Sequence, residues 1–148
     1  MPGVLAAPSI AAAFAFRRND ERLEVRLVRT SDGARWTLPK GRQERGETLA
    51  QTAAREAAEE AGVSGVVGDE PLIEYRHAPS RHHGRCDDRV TAFLLVVQRA
   101  GPSSERDRDP TWFDLRTARD KLAEGREALY AHELERVLVA AERQLRER

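Results

Sequence analysis

The chain has 148 residues, 40% hydrophobic and 34% charged, and its 25 basic and 25 acidic side chains cancel to a net charge of zero. That length suits one domain over residues 1–148 with a real core. The balanced charge argues against a general nucleic-acid or membrane-surface binder, since either wants a basic excess. The single cysteine, Cys86, excludes an internal disulfide and gives no support to a structural zinc site.

Residues 4–16 are apolar and alanine-rich, but no basic residue precedes them, Arg17 and Arg18 follow, and the run is too short to span a bilayer. The expectation is a flexible start, then a first buried strand at residues 9–16, in a cytoplasmic protein. Leu23, Val25 and Leu27 alternate with Glu24 and Arg26, so residues 23–29 read as a half-buried strand paired with the first around a turn at 18–21. Ser31-Asp32-Gly33 is a turn. Trp36-Thr37-Leu38 leads into Pro39, where regular structure is expected to end, and residues 42–46 read as a loop.

A helix is predicted from about Thr48 to Ala61, with Gly62 as its C-cap. Ala50, Ala53, Ala54, Ala57 and Ala61 let it sit close to a sheet, although high helix propensity accounts for them equally well. Strands are predicted at 71–76 and 90–97, around a polar loop at 78–89 that carries Arg81, His82, His83 and Arg85. A second polar loop, 101–110, precedes a short strand at 111–115. Residues 118–122 read as a short helix. Leu134, Val137, Leu138, Ala141 and Leu145 recur at helical spacing and mark a long terminal helix. Strands and two or three helices in mixed order give an α/β sandwich.

The chemistry lies on the first helix. Glu56, Glu59 and Glu60 stand at i, i+3 and i+4, on one face. Like charges so spaced repel by roughly a few tenths of a kcal/mol per pair. A hard divalent cation reverses that sign, because it takes oxygen ligands while keeping waters and binding substrate phosphates. The face therefore reads either as a metal cradle for phosphate chemistry or as a solvated acidic surface.

Residues 41–63 read Gly-Arg-Gln-Glu-Arg-Gly-Glu-Thr-Leu-Ala-Gln-Thr-Ala-Ala-Arg-Glu-Ala-Ala-Glu-Glu-Ala-Gly-Val. The run resembles the Nudix box, Gly-x5-Glu-x7-Arg-Glu-U-x-Glu-Glu-x-Gly-U with U a bulky aliphatic, at every fixed polar and glycine position. Ala57 departs from it at the first U. The lead-in Trp36-Thr37-Leu38-Pro39-Lys40 and the later Trp112-Phe113-Asp114-Leu115 are also similar to the family and extend the likeness over most of the chain. The resemblance implies a Nudix-type α/β/α sandwich with a mixed sheet, the box forming a loop-helix-loop. It implies a phosphoanhydride hydrolase that uses Mg²⁺ or Mn²⁺, held by Glu56, Glu59 and Glu60 with the backbone carbonyl of Lys40, and oriented by an Arg55–Glu47 ion pair. The proton acceptor for the attacking water is Glu56 or a later loop acid, Glu105 or Asp107. Arg106-Asp107-Arg108-Asp109 is otherwise an ordinary solvated charge run.

Lys40 and Arg42 flank the glycine and, with Arg81 and Arg85, offer cations to a polyphosphate. His82 and His83 read as phosphate contacts or exposed bystanders, Trp36 as core, and Trp112 as the cover of a nucleotide base or as core. The Leu-Pro-Lys-Gly lead-in is similar to branches that cleave diadenosine or diphosphoinositol polyphosphates. The expected substrate is a small-molecule nucleoside polyphosphate, a diadenosine polyphosphate first. A MutT-type triphosphate pyrophosphatase and a ligand-sensing domain without catalysis are the alternatives. No nucleic acid or membrane partner is expected, and the protein is expected to be a monomer or homodimer.

Overall fold

A computed structural model describes residues 9–78 and 89–147. In chain order its elements are β1 (Ile10–Asn19), β2 (Arg22–Arg29), β3 (Trp36–Thr37), β4 (Lys40–Arg42), α1 (Leu49–Ala61), β5 (Val63–Val67), β6 (Ile73–Arg76), β7 (Arg89–Ala100), β8 (Thr111–Asp114), α2 (Leu115–Ala123) and α3 (Ala128–Arg146). Among the described residues, no helix is long and apolar enough to cross a membrane.

The strand β1 divides the interior into two cores. Its side chains alternate between faces, and Ile10 to Phe16 are buried on both. Ile10, Ala12, Phe14 and Phe16 join Leu122 of α2 and Leu134, Val137, Leu138, Ala141 and Leu145 of α3. Ala11, Ala13 and Ala15 join Ala53, Ala57 and Ala61 of α1, with Phe93 and Leu95 of β7. The result is a sheet between α1 on one side and α2 and α3 on the other, the expected α/β/α sandwich.

The sheet is mixed. β1 runs parallel to β7, from Ile10 opposite Val90 to Phe16 opposite Val96, and the other pairings are antiparallel. Along its other edge β1 takes β4 at one end and β2 at the other. β7 likewise takes β6 and then β5, while β3 and β8 both pair with β2.

Two of these strands differ from the sequence expectation. Regular structure resumes after Pro39: β4 pairs Lys40 with Ala12 and Gly41 with Ala11, and Ala13 N–H already donates to Pro39 O at 3.0 Å. The edge of β1 needs partners for its backbone groups, and a polar Lys-Gly-Arg segment supplies them as well as an apolar one. β5 carries no alternation either, and it pairs with β7 through a register shift at Ser64/Gly65. A Cβ on Gly65 would lie 1.8 Å from Val96 O, so only glycine fits there. The predicted strand at 111–115 loses its last residue to α2, because Asp114 accepts from Thr117 N–H at 2.8 Å and caps that helix.

α1 forms where local signals place it. Thr48 and Gln51 exchange side-chain and backbone hydrogen bonds as a capping box. Gly62 ends the helix with φ 66°, and a Cβ there would lie 2.2 Å from Gly101 O.

The alanine layer generates a prediction. Ala57 has no exposed surface, so Ala57→Leu, which restores the bulk usual at that box position, should overpack this interface and cost about 1–3 kcal/mol. Urea denaturation measures it; an unchanged midpoint would show that the layer has room to spare.

Candidate active site

The α1–β4 junction gathers the box acids. Glu56 and Glu60 are buried, at 8% and 5% exposure, while the Glu59 side chain is about half exposed. Lys40 N–H donates to Glu60 Oε1 at 2.9 Å. A Cβ on Gly41 would fall 2.3 Å from the Glu56 carboxyl group, so glycine at 41 is what lets this carboxylate lie against the strand. Burial pushes the Glu60 carboxyl up to about 7, against the opposing pull of the Lys40 N–H, Arg108 and the Lys40 charge. Burial also raises Glu56, with Arg55 opposing.

Arg55 organises the exposed flank of this group. Its Nε donates to Glu47 Oε2 at 2.7 Å and its Nη2 to Glu47 Oε1 at 3.1 Å, a bidentate pair. Nη1 reaches Glu56 Oε1 at 2.8 Å and Glu59 Oε2 at 3.3 Å. Nη2 also donates to the carbonyl oxygen of the exposed Arg42 at 3.0 Å. Glu47 is itself fixed by Glu44 N–H and the Thr52 hydroxyl, each at 2.9 Å. Arg55 beside it, with the Glu44 N–H, draws its carboxyl down to about 2.

The loop at 101–110 closes over the end of α1. Gly101 N–H donates to Gly62 O at 2.7 Å, and Ser104 N–H to Glu59 O at 3.2 Å. The hydroxyls of Ser103 and Ser104 donate to the same Glu59 carbonyl, at 2.9 and 3.1 Å. These bonds satisfy backbone acceptors left open at the helix end. They carry Glu105 close enough that its charge adds to the rise of the Glu56 carboxyl.

Arg108 stands in a charge run expected from the sequence to be solvated, yet its side chain is mostly buried. Its Nη2 lies 3.1 Å from Glu60 Oε2, its Nε donates to Glu105 Oε2 at 2.8 Å, and its Nη1 donates to Arg29 O at 3.1 Å. Arg106, Asp107 and Asp109 around it are exposed, as expected. Asp107 and Asp109 hold φ 65° and 47°, left-handed values that aspartate tolerates better than most residues.

On the other side of Lys40 lies a cavity of about 90 Å³, lined by Thr30, Arg35, Thr37, Lys40, Tyr75 and Arg126 among others, with no acid among the described residues that line it. Lys40 Nζ is 3.2 Å from Thr37 Oγ1. Arg126 Nη1 donates to Leu122 O at 2.7 Å, and Arg35 Nη1 to Gly125 O at 3.4 Å. Desolvation draws the Lys40 ammonium down to about 8, with Glu60 opposing and Arg126, Arg108 and Arg35 adding to the fall. The buried Tyr75 hydroxyl has no hydrogen-bond partner among the described residues. Arg35, Tyr75 and Arg126 carry no sequence signal for this site, because each comes from a different part of the chain.

Trp36 is core, 5% exposed and edge-on to Phe113 with ring centroids 5.0 Å apart. Trp112 packs against the α1-side core, with the guanidinium groups of Arg17 and Arg26 over its ring at 4.1 and 5.1 Å. Arg81, His82, His83 and Arg85 lie outside the described residues.

Glu60 makes metal-free stability depend on pH. Its folded value lies above the ordinary 4.5, so its contribution is complete below about pH 4.5 and is lost as pH rises through about 7. In chelator, the wild type should lose on the order of 1–3 kcal/mol relative to Glu60→Gln across that window. Denaturation curves taken at stepped pH measure the difference; a constant offset between the two proteins would show that Glu60 titrates normally.

Comparison with known proteins agrees with this geometry. A family model described as NUDIX domain matches residues 8–132. Nudix hydrolase 13, mitochondrial, of Arabidopsis thaliana is 29% identical over 107 residues, 67% of this chain and 53% of that protein. The chain thus spans about half the length of the curated relative it matches. Among solved structures, a C. elegans Ap4A hydrolase superposes with a TM-score of 0.72 at 19% identity, covering 94% of this chain and 98% of that one. The NUDIX domain of Shewanella oneidensis NrtR, solved with ADP ribose, gives 0.69 at 21% identity, covering 96% and 90%. At these identities the structures speak for the fold alone. With the family match running through the sheet, the acidic helix and its flanking loop, the chain belongs to the Nudix family.

Proposed function

We propose that this chain is a divalent-metal-dependent pyrophosphohydrolase that cleaves a phosphoanhydride bond in a nucleoside polyphosphate, with a diadenosine polyphosphate as the first candidate substrate. One observation carries the reading. Lys40 touches the acidic group with its backbone N–H, at Glu60, and lines the cation-rich cavity with its side chain. Metal-binding chemistry and phosphate-binding chemistry therefore adjoin at one residue.

The donor set suits a hard cation. Among the described residues, no group of three or more His, Cys, Asp or Glu side chains could hold an ion, but Mg²⁺ is ordinarily bound by one or two carboxylates together with waters and substrate phosphates. Of Glu56, Glu59 and Glu60, one or two would hold Mg²⁺ or Mn²⁺ directly and the rest through its waters, with the Lys40 carbonyl as a further donor. Such an ion supplies Lewis-acid polarisation of phosphoryl oxygens and of water.

The remaining steps belong to the chain. Arg55, anchored on Glu47, aims Glu56 and Glu59. Glu105 takes the proton of the attacking water as its oxygen bonds to phosphorus and the P–O–P bridge opens, and Glu56 is the other carboxylate suited to that role. Glu105 is favoured over Asp107 because it is half-buried and tied to Arg108, whereas Asp107 is exposed. The cavity receives phosphate beyond the cleaved bond: Lys40, Arg35 and Arg126 donate to phosphoryl oxygens, and the Tyr75 hydroxyl gains the partner it lacks among the described residues. A MutT-type nucleoside triphosphate uses the same contacts. A ligand-sensing domain without hydrolysis has no need of the three clustered glutamates.

Three outcomes follow. Hydrolysis should stop in chelator and return with Mg²⁺ or Mn²⁺, and Glu59→Gln or Glu60→Gln should lower the rate by orders of magnitude with the fold intact; full turnover without metal sinks the mechanism. Diadenosine tetraphosphate or a nucleoside triphosphate should show a higher kcat/KM than ADP-ribose, a preference that fades as salt rises. Arg126→Ala should lower kcat/KM for the polyphosphates about 10- to 100-fold and spare ADP-ribose more. Preference for ADP-ribose at low salt refutes the polyphosphate reading and leaves the hydrolytic mechanism standing.

A further inference from the structure

The loop residue Arg108 is bound on every side by groups that matter to the site. Its backbone is pinned to β2, since Arg29 N–H donates to Arg108 O at 2.7 Å, and its Nη1 returns a bond to Arg29 O at 3.1 Å. Its Nε holds Glu105 and its Nη2 meets Glu60 Oε2. The other oxygen of Glu60 is already engaged by Lys40 N–H. The Ser103 and Ser104 hydroxyls fasten the start of the same loop to the Glu59 carbonyl. The segment bearing Glu105 is thus tied at one end to the backbone of α1, and at the other, through a single guanidinium, to a carboxylate of α1.

Two consequences follow from this arrangement. The planar fork of arginine bridges two carboxylates at once, which the single ammonium of lysine does poorly. And the positive charge of a guanidinium whose Nη2 lies 3.1 Å from Glu60 Oε2 opposes the approach of any second cation to that oxygen.

We infer that Arg108 is a positioning residue with a double effect: it holds Glu105 over the acidic helix, and its charge weakens the affinity of Glu60 for the divalent cation. The inference rests on the reading of Glu60 as a metal donor. It predicts opposite signs for metal binding and turnover, which loss of structure alone does not produce. A loosened site binds metal more weakly and works more slowly; a site relieved of a competing cation binds metal more tightly and still works more slowly, because Glu105 has lost its tether.

The test is calorimetric titration of the chelator-stripped protein with Mn²⁺ at one fixed pH, alongside kcat and KM on a nucleoside polyphosphate. The variants are R108Q, R108K, E60Q and the pair R108Q/E105Q. R108Q should bind Mn²⁺ more tightly than wild type, by roughly ten-fold, while kcat falls and KM changes little. R108K keeps the charge and the fold but loses the fork, so it should bind Mn²⁺ as wild type does and still lose kcat. Adding E105Q to R108Q should lower kcat little further, since the two act as one unit. E60Q with wild-type Mn²⁺ affinity overturns the donor reading of Glu60, and this inference with it. If E60Q is impaired but R108Q binds Mn²⁺ no more tightly than wild type, or if R108K retains wild-type kcat, the role assigned to Arg108 is wrong while the donor reading survives.

Discussion

The closeness of α1 to the sheet is the constraint on which the site depends. Ala11, Ala13 and Ala15 face Ala53, Ala57 and Ala61 in one buried layer, and methyl groups on both sides hold helix and sheet near contact distance. At that separation the Lys40 N–H reaches Glu60, and Gly41 has no space for a side chain beside Glu56. The departure of Ala57 from the bulky aliphatic usual in the box belongs to the same arrangement. Ala57 is fully buried in the layer that holds the helix against the strand, so core packing and site geometry share one interface.

That closeness has an electrostatic cost. Glu56 and Glu60 are buried side by side, desolvated and mutually repelling. Two arginines compensate from opposite directions. Arg55 acts from within the helix and is steadied by Glu47. Arg108 acts from a distant loop and brings Glu105 with it. Both use the guanidinium fork to join more than one carboxylate, which is where arginine differs most from lysine.

Lys40 serves the opposite need. It is one of two lysines in the chain, and it stands where the acidic group gives way to a cation-rich cavity. The loss of solvation lowers its ammonium to about 8, so an arriving anion both gains a partner and firms up the charge that binds it. Tyr75 and Arg126 line the same cavity, and an anionic guest there would meet the Tyr75 hydroxyl, which has no partner among the described residues.

The local part of this structure was legible in the sequence by itself. The spacing of Glu56, Glu59 and Glu60 follows from helix periodicity, the ends of α1 from Thr48 and Gly62, and the strand and terminal-helix assignments from apolar repeats. These signals act between residues a few positions apart, where backbone geometry leaves few choices. Tertiary structure decided the rest. β4 and β5 form because the edges of β1 and β7 need hydrogen-bond partners, a demand invisible in segments as polar or as glycine-bearing as these. Glu59 stays half exposed while its neighbours are buried because the sheet lies to one side of the helix. Arg108 differs in sequence in no way from the exposed residues around it; the path of the loop alone sets its guanidinium on Glu60. Charge pairing between elements depends on where the whole chain runs, and no periodicity in a single segment records that.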